Sequence, residues 1–219
     1  MFQNYDDNSD PSRAAERIAA LRDVLAEAGL DGFIVPRADE HQGEYVPASS
    51  ERLAWLTGFT GSAGTAVILA DKAVIFIDGR YALQVRDEVD TGVIEPVSVI
   101  ETPVSKWLEK HAPENARIGF DPWLMTRAQI GKLRKALAGR NAELVAVDAN
   151  PVDSVWHDRP APPRAPVTEQ PVSLAGRQAA DKLDELAEIL AEKDADAAVL
   201  TDPASIAWTF NIRGKDVPH

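Results

Sequence analysis

Two stretches of this 219-residue chain follow one pattern, and that duplication limits the fold more than any other feature. Residues 17–35, RIAALRDVLAEAGLDGFIV, lie without a gap on residues 182–200, KLDELAEILAEKDADAAVL, at a constant offset of 165. Ile18 meets Leu183, Leu21 meets Leu186, Leu25 meets Leu190, Glu27 meets Glu192 and Asp31 meets Asp196. Amphipathic helices share such spacing by default, so the helix alone is weak evidence. The strand-like run after it adds weight, as does the apolar-Ala-Trp segment that follows, LAWLTGF in the first copy and IAWTFNIRG in the second. The second copy stops at His219 with no hairpin after it, so the expected organisation is one whole domain and the beginning of a duplicate cut from something longer.

The elements of the first copy can be read in order. Asp10 as N-cap, Pro11 in the first helical position and Gly29 as stop predict a helix whose buried face is Ile18, Leu21, Val24, Leu25 and Ala28. DGFIV reads as a short buried strand, and TAVILA, a turn at Asp71-Lys72 and AVIFID as a hairpin. GRYALQVRDEV is expected to be a helix and VIEPVSVI a strand that Pro96 confines to an edge or a bulge. Helix VSKWLEKH, strand RIGFD, helix TRAQIGKLRKAL and strand AELVAVD complete an alternation that predicts an α/β fold, a mixed sheet with flanking helices. Pro151, Pro160, Pro162, Pro163, Pro166 and Pro171 then leave no room for regular structure. The expected division is residues 1–149 as the first domain, 150–172 as a Pro-rich linker and 173–219 as the start of the second. In that last part a helix from Ala175 to Lys193 and a strand DAAVL would leave an apolar face uncovered, to pack on the first domain or a second molecule with Trp208 in the contact.

Charge and composition exclude several functions. The net charge of −12 disfavours nucleic acid and anionic membranes as partners. The absence of cysteine excludes disulfides, thiolate metal sites and cysteine nucleophiles within the chain. No apolar run is long enough to span a membrane, and the acidic start MFQNYDDNSD is unlike a signal peptide, so a cytoplasmic protein is expected.

Candidate chemistry is sparse. The glycine-rich GFTGSAGTAVILA, residues 58–70, precedes a strand, whereas a phosphate-binding loop follows a strand and opens a helix; a tight entry into the hairpin explains it better. None of His41, His111, His157 and His219 makes a helical i, i+4 pair, and Gly43 between His41 and Glu44 argues against a helical metal site there. His111 suits the C-terminus of its helix. Ser49, Ser50 and Ser62 lack the G-x-S-x-G setting of an activated serine. DGRY, Asp78 to Tyr81, reads as a strand end, a turn and the start of a helix, although a carboxylate beside an arginine also suits catalysis. Trp55, Trp107, Trp123, Trp156 and Trp208 sit among apolar neighbours as core or interface anchors.

Taken in order, DEHQGEY, GFTGSAGTAVI, DGRYALQ, IGFDP, VWHDRPAPP and IAWTFNIRGKDVPH resemble the N-terminal half of three-domain aminopeptidase P, in the creatinase and prolidase superfamily. The resemblance implies a creatinase N-terminal domain with a ribonuclease H-like α/β layout, the start of a second of the same type, and a catalytic pita-bread domain that is not in this sequence. It implies hydrolysis of the bond before a proline in second position by two divalent metal ions, usually manganese. Their ligands, two Asp, one His and two Glu, cannot be matched here, so no catalytic residue, metal ligand or cofactor is assigned to the chain, and the fragment is expected to be inactive. It further implies a peptide substrate for the parent and a homodimer. The chain would help shape substrate access, with Phe59, Ser62, His41 and Arg80 as the substrate-channel candidates. A noncatalytic peptide- or protein-binding module of the same superfamily stays open beside the enzyme.

Overall fold

A computed structural model describes residues 9–216; His219 and the acidic start, residues 1–8, lie outside the described residues. The first unit is a six-stranded sheet, β1 (Gly32–Pro36), β2 (Gly64–Leu69), β3 (Ala73–Ile77), β4 (Glu95–Ser98), β5 (Arg117–Phe120) and β6 (Glu143–Ala146), in the order β4-β3-β2-β1-β5-β6. The β1–β2 and β2–β3 pairs are antiparallel and the others parallel, which makes the sheet mixed with the expected hairpin in it. Pro96 stands on the edge strand β4, opposite Ile75, where a missing N–H can face outward.

Side-chain alternation builds a core on each face of this sheet. Phe33, Val35, Ile68 and Ile75 face α1 (Ala14–Glu27) and α2 (Arg52–Thr57). Ile34, Val67, Phe76 and Phe120 face α4 (Val104–His111) and α5 (Arg127–Ala138), with Trp107, Leu108, Leu133 and Leu137. Ile18, Leu21 and Leu25 of α1 are buried as expected; Val24 is half-buried and Ala28 exposed, because the helix ends at Glu27 and Gly29 turns the chain with a positive φ. Asp10 precedes a short 3-10 turn, Pro11–Arg13, without a side-chain cap bond. The GRYALQVRDEV segment is a 3-10 turn, Gly79–Tyr81, followed by the short α3 (Gln84–Glu88), not one helix.

The proline-rich stretch also departs from expectation. Pro151–Val155 forms a helix, α6, because proline is tolerated in the first turn and the Asn150 side chain accepts from the Val152 N–H. Val152 is fully buried in the α1 face of the core, and Asp153 pairs with Arg52 at 2.7 Å.

Beyond it come β7 (Thr168–Glu169), α7 (Val172–Ala175), α8 (Ala179–Glu192), α9 (Pro203–Phe210) and β8 (Ile212–Arg213), with β7 paired antiparallel to β8. Helix α8 starts later than Ala175 because Gly176, at φ 76°, interrupts it; its bounds fall at the repeat offset from those of α1. DAAVL forms no strand. Its counterpart β1 is held between β2 and β5, whereas residues 197–200 pair with no strand among the described residues. The same difference exposes the second helix: Ile18 is 1% exposed and its counterpart Leu183 42%.

Candidate functional site

Loop 57–64 is fixed by its own chain. Thr57 Oγ1 donates to the Leu53 carbonyl and accepts from the Phe59 N–H. Gly58 ends α2 at φ 87°, where a Cβ would lie 2.4 Å from the Glu88 carbonyl oxygen. Phe59 is 1% exposed, in the core beside α2, with the Tyr81 ring edge-on at 5.5 Å. Thr60 donates from N–H and hydroxyl to the Glu88 carboxylate, at 2.8 and 2.7 Å. Ser62 meets the Tyr81 hydroxyl through its own hydroxyl at 2.6 Å, and its N–H donates to the same oxygen. Arg80 grips Asp78 at 2.7 Å and lies 5.1 Å from the centroid of Tyr81. Hydrogen bonds from Arg80 hold the Asp78 carboxyl below its usual range.

Two of the clefts along loop 37–47 are lined by candidate residues. One, of about 540 Å³, has Arg37, Gln42, Ser62, Thr65 and Arg80 on its walls. The other, of about 720 Å³, has Asp39, His41, Ser49 and Trp123 on the first-unit side and Pro162 and Ile206 on the other. Gly43 and Leu124 belong to both. Ser62 and Arg80 therefore share a cleft, His41 lines its neighbour, and Phe59 supports the loop from inside. Beneath the wall, Arg37 reaches the Glu44 carbonyl and, at 3.6 Å, Glu51, whose carboxyl is pushed up by burial. Among the described residues no group of three His, Cys, Asp or Glu side chains is placed to hold a metal ion. No helix among them is long and apolar enough to cross a membrane.

Sequence reasoning missed the residues that hold this region. Tyr81 and Glu88 become visible only when α3 is folded beside the loop. Trp123, expected as an anchor, is 74% exposed at the cleft mouth, because the tight turn after β5 is set by the Asp121 carboxylate accepting from its backbone N–H.

The model of the creatinase/prolidase N-terminal domain family matches residues 17–155, and a second model of the same description matches 158–219. A curated protein of Aspergillus niger, "Probable Xaa-Pro aminopeptidase P", is 38% identical over 208 residues, 94% of this chain and 34% of its own length. "Aminopeptidase P1" of Lotus japonicus is 37% identical over 92% of this chain and 31% of its own. The chain thus spans about a third of the length of these relatives. The crystal structure of an X-prolyl aminopeptidase from Caenorhabditis elegans, described as a cytosolic enzyme with a di-nuclear active site, superposes with a TM-score of 0.85 at 31% identity. It covers 94% of this chain and 36% of that one. The N-terminal domain of the peptidase PepQ from Mycobacterium tuberculosis matches at TM-score 0.51 and 28% identity, over 64% of this chain and 98% of its own.

Proposed function

Because the chain belongs to the creatinase/prolidase N-terminal domain family, we propose that it is the N-terminal part of a metal-dependent Xaa-Pro aminopeptidase, a hydrolase that releases the first residue from peptides with proline second. The observation that carries this reading is the tandem of family domains matched end to end by aminopeptidase P relatives over nearly the whole chain. The two divalent metal ions of the reaction, manganese by resemblance, do not fit the residues described here, which offer no ligand group. No chemical step is assigned to this chain.

Its part is access and assembly. Ser62 and Arg80 are held on one cleft wall by Tyr81 and Asp78, and His41 stands on the dividing loop, so these side chains are positioned to meet a peptide on its way to the metal centre. Phe59 fixes the loop from the core. The parent acts in the cytoplasm as a homodimer in this reading.

The test is an assay of the native polypeptide that contains this sequence, with a peptide bearing proline in second position and Mn²⁺. Metal-dependent release of the first residue is expected. A peptide left intact would overturn the hydrolase reading, and a peptide bound but intact would favour a noncatalytic module.

A further inference from the structure

The larger cleft carries a set of polar groups that neither the fold nor the proposed access route uses. Asp39 is 3% exposed, and its Oδ1 accepts from the His41 and Gly43 N–H groups at 3.0 and 3.3 Å. Its Oδ2 has no hydrogen-bond partner among the described residues, and neither do the hydroxyls of Ser49 and Ser50, two more buried residues lining the same cleft. None of these three oxygens is sealed off from solvent, so each opens onto the cleft, where a cation or a donor can reach it. The cationic side chains nearby are already engaged. Arg52 and Arg159 both grip Asp153, at 2.7 and 2.6 Å, and Arg159 also donates to the Ser49 carbonyl. Asp39, Glu40 and Asp216 then leave the cleft with negative charge, so it favours a positive ligand.

The walls say what kind of molecule bears that charge. Trp123 is largely exposed and lines the cleft together with Pro162, Pro163 and Ile206, apolar surface suited to an extended chain. A guanidinium over Trp123 would gain from the ring as well as from Asp39. We propose that this cleft binds an extended peptide segment through an arginine side chain, whose guanidinium donates to Asp39 Oδ2 and the Ser49 and Ser50 hydroxyls while its backbone lies along Trp123. The inference rests on the peptidase reading only in supposing that peptides reach this face. It adds a subsite selecting cationic peptides.

Calorimetric titration of the 219-residue chain tests it, with end-blocked Ala-Pro-Arg-Pro-Ala as probe and the same peptide carrying neutral, isosteric citrulline as control. The arginine peptide is expected to bind about tenfold more tightly than the citrulline peptide. Asp39→Asn keeps an Oδ1 to accept from the loop N–H groups and removes the charge, so it should bring the arginine peptide to the citrulline level. Trp123→Ala, at an exposed position, should weaken both peptides with the fold intact. Equal binding of the two peptides, no binding at millimolar concentration, or indifference to Asp39→Asn in a folded variant would overturn the proposal. Should Asp39→Asn not fold, unchanged binding in Trp123→Ala would overturn it equally. Because the readout is binding, its failure leaves the hydrolase reading standing, and an inactive parent leaves this site standing.

Discussion

Lys182 Nζ lies 4.2 Å from the centroid of the Trp208 ring and donates to the Trp208 carbonyl, as Arg17 lies 4.9 Å from the ring of Trp55 and donates to the Trp55 carbonyl. The two cations occupy one repeat position, and each ties the long helix of its unit to the short tryptophan-bearing helix after it. The duplication therefore preserves a tertiary contact as well as a hydrophobic spacing. Lys182 also donates to Asn211 Oδ1 at 2.7 Å, where α9 ends in a left-handed residue.

Lys182→Met should loosen the second unit alone, since it strips the Trp208 carbonyl and Asn211 of a buried donor at a cost of about 1–3 kcal/mol. Hydrogen exchange measures this. Amides of 179–213 should exchange faster while those of the six-stranded sheet keep their protection; unchanged protection in 179–213 would refute the latch.

Gly58→Ala should destabilise the first unit by about 2 kcal/mol or more, because φ is positive and the new Cβ would strike the Glu88 carbonyl. Denaturant unfolding measures it. A loss under about 0.5 kcal/mol, the ordinary effect of a surface change, would show that the loop relaxes freely.

A chain ending at residue 159 should unfold cooperatively, and one ending at 149 should be less stable by about 3 kcal/mol, having lost buried Val152 and left Arg52 without Asp153. Equal stability of the two would contradict the place given to α6.

This last difference marks where the sequence was opaque. The first-unit strands, their hairpin and the edge position of Pro96 were legible because short apolar, β-branched runs bounded by turn residues are local signals. The helix at Pro151 was not, since proline density argues for an irregular connector until Asn150 is seen capping and Val152 is seen in the core. DAAVL carries a strand pattern without a neighbour to pair with, and pairing is not a property of the segment itself. Ser62 and Arg80 could be picked out as candidates, but their fixing partners, Tyr81 and Asp78, are given meaning only by the fold.

His111 should give the protein a pH dependence of defined sign. Partial burial, then Lys72 and Lys110, hold its imidazole below the ordinary value while Glu95 opposes them. The folded state thus binds fewer protons than the unfolded state as pH falls below about 6.5, so stability present above that pH is lost on acidification. In His111→Gln this component should vanish, and unfolding measured from pH 7.5 to 5 should show a shallower slope than in the unmodified chain. An equal slope would exclude His111 as its source.

In the proposed reading this chain provides a scaffold and an access surface while the hydrolytic chemistry lies outside it. Incubation of the purified 219-residue chain with an Xaa-Pro peptide and Mn²⁺, followed by mass spectrometry of the products, tests it most directly. The peptide is expected to stay intact at every metal concentration; metal-dependent appearance of the free N-terminal residue would overturn this division of labour.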